Sequence, residues 1–219
     1  MTVAQSKTDS RPIAGPLTFR EFRKSDIGKC VEITAEAWPE LKPGGLDLAT
    51  IEWYGWSSTW REVACVSDVP VGMLFGKIFN EMGFLGGTKT SVLHAAVYLK
   101  MLLGRYGRVP HRFAYVKGGI QGDKDIDRNV PDTDGEITYF VVDSAHRGMG
   151  IGRQLLGRYI AHAKEMGSKT IAVYTTEPGS DLKFYENQGF KRYSQFRDGF
   201  MSVVRNEEVK AMFYTLELG

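Results

Sequence analysis

Six residues in the last third of the chain, Arg147-Gly148-Met149-Gly150-Ile151-Gly152, limit its possible folds more than any other stretch. The β-branched and aromatic run Glu136 to Val142 precedes them and predicts a strand. Leu155, Leu156, Tyr159, Ile160 and Ala163 follow at helical spacing and predict a helix from Gly152 to Met166, stopped by Gly167. A strand, a glycine turn and a helix in that order set the amides of Gly148, Gly150, Gly152 and Arg153 at a helix N-terminus. The dipole there amounts to roughly half a positive charge, and glycines let an anion come close to the backbone. Arg147 and Arg153 add fixed positive charge. A phosphate group suits this arrangement.

Spacing separates three phosphate-binding turns. A P-loop needs G-x-x-x-x-G-K-[ST], but Gly152-x-x-x-x-Gly157 is followed by Arg158 and Tyr159, with no hydroxyl placed for magnesium. The dinucleotide fingerprint G-x-G-x-x-G needs glycine where Arg153 stands, and it opens a domain, whereas this turn comes near the chain's end. The pattern that remains is Arg-x-x-Gly-x-Gly, carried by Arg147, Gly150 and Gly152.

With its flanks, from Val141-Val142-Asp143 to Gln154-Leu155-Leu156, that pattern resembles the cofactor-binding stretch of the GNAT family of acetyl-CoA-dependent N-acetyltransferases. A second stretch follows in the family's order: Phe184-Tyr185-Glu186-Asn187-Gln188-Gly189-Phe190 resembles the F-Y-x-x-x-G-F that closes that fold. The resemblance implies an α+β fold with a central, mostly antiparallel sheet, splayed between the fourth and fifth strands, and helices on both faces. It implies acetyl-CoA (coenzyme A) as cosubstrate, with the pyrophosphate on the turn from Arg147 to Arg153, Met149 and Ile151 included. The pantetheine arm would pair with the backbone of Val141 and Val142.

The same resemblance implies acetyl transfer to a primary amine, on a small molecule or a peptide, directly within a ternary complex and without a metal. A lysine-like ammonium is neutral in only about one molecule in two thousand at pH 7, so a proton acceptor is useful. Glu136 lies eleven residues before Arg147, where the histone-acetyltransferase branch of the family carries its general base. Tyr185 has the position of the family's general acid, which protonates the departing thiolate. Pro178 and Asp181 depart from the family pattern, which has asparagine and alanine ahead of that tyrosine.

Elsewhere the pattern predicts a flexible leader over 1–16, a strand at Leu17 to Glu21 and a first helix from Ile27 to Pro39. A second, aromatic helix is expected from Leu46 to Trp60, then a hairpin of Val63 to Ser67 and Val71 to Phe79. Asn80 to Asp134 reads as an insertion beside the site, with one helix at Ser91 to Leu103 and a Gly-, Asp- and Lys-rich second half expected to be a lid or binding loop. After Val142 the chain alternates: a strand at Thr170 to Thr175, a helix at Asp181 to Gln188, and strands near Phe190 to Phe196 and Ala211 to Leu218. One acetyltransferase domain over 17–219 is expected.

Acceptor specificity would then fall to Trp53, Tyr54 and Trp56 and to the insertion, where aromatic rings could hold an amine's apolar body or its cation. His94 and Tyr98, four apart, could face the cleft, though a histidine on an apolar helix is more often a packing residue. His111 and His146 read as exposed loop residues, and Asp123, Asp125 and Asp127 as a solvated loop without the glycine and glutamate of a calcium site.

The formal charge of +2, spread evenly, gives no footprint for nucleic acid. The two cysteines, Cys30 and Cys65, lack metal or redox spacing and are expected to be reduced and buried. No run is apolar enough for a membrane span, so a cytoplasmic protein is expected, with pairing into a homodimer left open. Two other readings stand beside the enzyme: a non-catalytic acyl-CoA-binding or sensing module, and an interaction protein built on the insertion helix.

Overall fold

The computed structural model describes residues 15–42, 45–83, 86–107, 112–177 and 181–219. All but the last two residues of the expected leader, together with His111 and Pro178, lie outside these. The elements are β1 (Leu17–Glu21), α1 (Ile27–Ala37), α2 (Leu46–Ser57), β2 (Trp60–Val66), β3 (Val69–Ile78), α3 (Gly86–Leu102), α4 (Arg112–Asn129), β4 (Gly135–Val142), α5 (Ile151–Glu165), β5 (Thr170–Glu177), α6 (Leu182–Asn187), β6 (Lys191–Asp198), α7 (Gly199–Arg205) and β7 (Val209–Glu217).

The strands form one seven-stranded sheet in the order β1-β2-β3-β4-β5-β7-β6. Every pairing is antiparallel except β4 with β5. The β2–β3 hairpin turns through Ser67 and Asp68, both at positive φ, a conformation whose twist matches that of the flanking strands. One face of the sheet carries α5 and α6, where Leu155, Leu156 and Tyr159 pack against Leu74, Ile137 and Ile171. The opposite face carries α1 and α2, with Ile33 and Ile51 against Met73, Phe75 and Tyr139.

Two irregularities shape the middle of the sheet. In β4, Phe75 pairs with Tyr139 but Gly76 pairs with Ile137, so Thr138 is an extra residue. Side chains alternate along a strand, and the extra residue turns both Glu136 and Tyr139 toward the α1/α2 face. The second irregularity is the parallel seam: β4 and β5 pair only at Gly135, Glu136 and Ile137 with Ile171, Ala172 and Val173. Beyond that, β4 stays on β3 as far as Val142 and β5 stays on β7 as far as Glu177, so the two diverge. The splay expected between the fourth and fifth strands is therefore present.

The insertion departs from its expected form. Its second half is a helix, α4, and Asp123, Asp125 and Asp127 stand on that helix rather than on a loop. Glycine is a poor helix former, and Gly118, Gly119 and Gly122 hid the helix from propensity. They are there for close packing: a Cβ at these positions would meet Val203, the Tyr98 hydroxyl and Phe200 at 3.0, 2.4 and 3.1 Å respectively. The short helix α7, which Asp198 caps by accepting from the Met201 amide at 2.8 Å, was not foreseen either. Helix α2 ends at Ser57, leaving Trp60 to open β2. Among the described residues no helix is long and apolar enough to cross a membrane.

Candidate acyl-transfer site

The glycine turn follows β4 through a short 3-10 turn, Ser144–His146, in which the Asp143 carboxylate accepts from the Ala145 amide. Gly148 and Gly150 both take φ near +78°, a conformation costly to residues with a side chain, and a Cβ on either would meet nothing within 4 Å. The glycines thus answer to backbone shape and open space, not to crowding by the protein. Gly150 caps α5 with no side-chain partner, so the first-turn amides of Ile151, Gly152 and Arg153 are left to whatever stands in front of the helix.

Around this turn the predicted residues separate. Arg147 donates from Nε to the carbonyl of Val142 at 3.0 Å and so ties the turn to the end of β4. Arg153 is exposed, and Met149 leaves 60% of its surface open. Val141 buries its side chain against α1, whereas Ile151 joins the core under α5.

A cavity of about 220 Å³ occupies the splay, between Ile137–Phe140 of β4 and Val173–Thr176 of β5. Tyr185 of α6 forms part of its wall, and burial raises its phenol's pKa well above the ordinary value, so the hydroxyl keeps its proton. Thr175 is almost fully buried, and its hydroxyl has no hydrogen-bond partner among the described residues. A buried hydroxyl left unpaired is costly, which fits a group waiting for a ligand.

Glu136 lies on the α1/α2 face, paired in register with Lys77. Desolvation pushes its carboxyl above the ordinary 4.5, against the pull of Lys77. Its strand neighbours Ile137 and Thr138 line the cavity, whereas Glu136 itself is not among the lining residues.

From the splay the cavity continues toward the insertion, and there the structure assembles a group that the sequence did not reveal. The His94 ring stacks on Trp53, centroids 4.1 Å apart, and on Tyr98 at 4.6 Å. Tyr98 donates its hydroxyl to Asp123 at 3.0 Å, and His94 Nε2 lies 3.5 Å from the same carboxylate oxygen. His94 is therefore part of a polar cluster lining the cavity rather than a lone packing residue. Its i, i+4 spacing with Tyr98 was visible, but the partner Asp123 sits on a helix hidden by glycines.

Of the expected aromatic group, Trp53 and Tyr54 line the cavity; Trp56 instead lies at the surface within reach of Lys24 and Arg61. His146, expected in solvent, is 1% exposed beside Asp143, because the 3-10 turn folds it inward. Cys30 and Cys65 are free and buried; burial pushes the Cys30 thiol up to about 12 and raises that of Cys65, and neither lines the cavity.

Residues 112–190 match the family model described as the acetyltransferase (GNAT) family. No curated protein matches the sequence. Among solved structures, the ribosomal-protein-S18-alanine N-acetyltransferase of Escherichia coli superposes with a TM-score of 0.55 at 13% identity, covering 93% of this chain and 95% of that one. Ard1 of Thermoplasma volcanium gives 0.54 at 17%, covering 92% and 99%. The yncA protein of Salmonella typhimurium, solved with its cofactor acetyl-CoA, gives 0.51 at 17%, covering 93% and 94%. At these identities the likeness is one of fold.

Proposed function

We propose that this chain, a GNAT-family protein by the match over residues 112–190 and by its fold, transfers an acetyl group from acetyl-CoA to a primary amine. The observation that carries the reading is a cavity running from the splay, where its lining residue Phe140 approaches Gly152 at the start of α5, to a wall of aromatic and acidic side chains. The acetyl-CoA held by a protein of the same fold supports the choice of cosubstrate.

In this reading the amides of Ile151, Gly152 and Arg153 receive the pyrophosphate, with Arg153 beside them, and Gly148 and Gly150 keep the approach free of side chains. The pantetheine arm takes the place of the missing β4–β5 pairing along Val141 and Val142. The amine loses a proton to Glu136 through water, since Glu136 is set back from the cavity. The free amine adds to the thioester carbonyl; the C–N bond forms and the C–S bond breaks. The proton lost by that nitrogen balances the one Tyr185 gives to the departing thiolate, and the Tyr185 phenol is then restored. The thioester is already activated, so holding the two reactants together supplies much of the acceleration.

The test is the thermal midpoint with and without acetyl-CoA, in the wild type and in Gly150→Val. At about 100-fold excess over the dissociation constant, binding adds about 2.7 kcal/mol to the native state. A rise in the wild type alone supports the assignment, and no rise in either would sink it. A rise without thiol release from any amine in a broad panel would favour the acyl-CoA sensing module instead.

A further inference from the structure

The far wall of the cavity has a charge that the cofactor turn does not explain. No lysine or arginine lines the cavity among the described residues, whereas two carboxylates do, Asp123 and Asp198. Asp198 is engaged with the protein: one oxygen accepts from the Met201 amide and the other from the Tyr174 hydroxyl. Asp123 is engaged on one side only. Its Oδ2 accepts from Tyr98 and faces His94, while Oδ1 accepts from no donor among the described residues. Asp127 lies one turn further along α4 and adds to the negative field.

Flat apolar surfaces accompany this carboxylate. Trp53, from α2, and Tyr98, from α3, both stack on the His94 ring, and Tyr54 stacks on Tyr139 at 5.3 Å. One cation, Lys77, lies 5.9 Å from the Trp53 ring centroid and pairs in register with Glu136, without lining the cavity. A carboxylate taken partly out of water, with aromatic faces around it, is a receptor for an organic cation.

We propose that this wall is the acceptor subsite and that it takes a small primary amine as its ammonium, the cation on Asp123 and a flat apolar body against Trp53, Tyr54 and Tyr98. The proposal rests on the acetyl-transfer reading of the same cavity. A simple alkylamine is almost wholly ionised at neutral pH, so the ammonium is the form in which the acceptor arrives. About 220 Å³ of this cavity is shared with the thioester end of the cofactor, which leaves room for a small amine. The insertion thereby acquires a role, since α3 and α4 supply His94, Tyr98 and Asp123.

The test uses 2-phenylethylamine and its uncharged counterpart 2-phenylethanol, titrated by calorimetry into the full-length protein saturated with coenzyme A. The amine should bind the wild type at least about tenfold more tightly than the alcohol, as a charge-assisted contact warrants. That preference should vanish in Asp123→Asn and survive in Asp127→Asn. Equal binding of the two ligands by the wild type, no binding of the amine, or a preference kept in Asp123→Asn would each overturn the proposal. The acetyl-CoA shift in thermal midpoint is measured on every variant; its presence separates failure of this subsite from failure of the acetyl-transfer reading. If Asp123→Asn does not fold, Trp53→Leu serves instead: unchanged affinity for the amine would overturn the proposal, and about tenfold weaker binding would support it.

Discussion

Asp134 and Thr170 are joined three times: the Asp134 amide donates to the Thr170 carbonyl at 3.0 Å, and the Thr170 amide and hydroxyl donate to Asp134 Oδ2 at 3.0 and 3.3 Å. The Lys169 amide donates to the same oxygen at 2.7 Å. These bonds sit where β4 and β5 begin their short parallel seam and close the foot of the splay. They hold the Asp134 carboxyl below its ordinary 3.8.

Asp134→Ala is expected to lower stability by about 1 kcal/mol, the net worth of such bonds at a solvated site. A carboxylate with a depressed native pKa contributes stability that is present above 3.8 and is lost as the pH falls through the native value. Denaturant unfolding should therefore separate variant from wild type at pH 7, and the gap should close in strong acid. A gap of equal size at both ends would place its origin elsewhere than in the charge.

Tyr185→Phe removes only a hydroxyl from a ring that packs on Phe184 and Phe190. Turnover is expected to fall about 100-fold, the lower part of the range for a general acid, with the thermal midpoint and the KM for acetyl-CoA held. A fall in affinity without a fall in kcat would make the residue a cofactor contact.

Acidification acts on three groups, and the first is the Asp123 carboxyl, which desolvation raises above its ordinary 3.8. Desolvation holds Glu136 above 4.5, whereas desolvation together with Lys77 holds His94 below 6.5 against the opposing pull of Asp123 and Asp127. His94 is therefore in its proton-accepting form at pH 7. As the pH drops, an imidazolium forms beside Asp123 and competes with the acceptor cation, and Glu136 loses its capacity as a base. The KM for a cationic amine should rise and kcat should fall with acid, and His94→Gln should lessen the rise in KM, leaving the part due to Asp123, without changing the fall in kcat. A KM that stays level in the wild type as the pH falls would count against this arrangement.

Gly76→Ala tests the core behind the site. A Cβ there would come within 2.4 Å of the Tyr159 ring, whose hydroxyl donates to the Lys77 carbonyl, and within 3.0 Å of the Glu136 carbonyl. Overpacking of this kind costs about 1–3 kcal/mol, a fall in thermal midpoint of several degrees for a chain of this size. A second change, Tyr159→Leu, should make the added methyl nearly neutral.

The elements flanking the glycine turn were legible in the sequence because their signals are local. The glycine turn, the apolar stripe of α5 and the run from Phe184 to Phe190 each occupy one continuous stretch, and the structure gives them the expected elements within a residue or two. The far wall was legible only in part: Trp53 and the His94–Tyr98 pair were visible, but Asp123 and Asp198, from α4 and the end of β6, were not. His146 was misjudged for a related reason: a loop position in sequence says nothing of which way a 3-10 turn folds it.

Helix α4 owes its shape to its neighbours. Three glycines within five positions cost about 1 kcal/mol each against alanine, so the segment has little tendency to coil by itself and holds its form through α3 and α7. The two walls of the cavity thus differ in support: one is formed by β4 and β5 of the sheet, while the other includes α4, whose helical form depends on packing against α3, α7 and β6. In the proposed reading, selectivity for the acceptor is carried by α3 and α4, apart from the sheet and α5 that receive the cofactor.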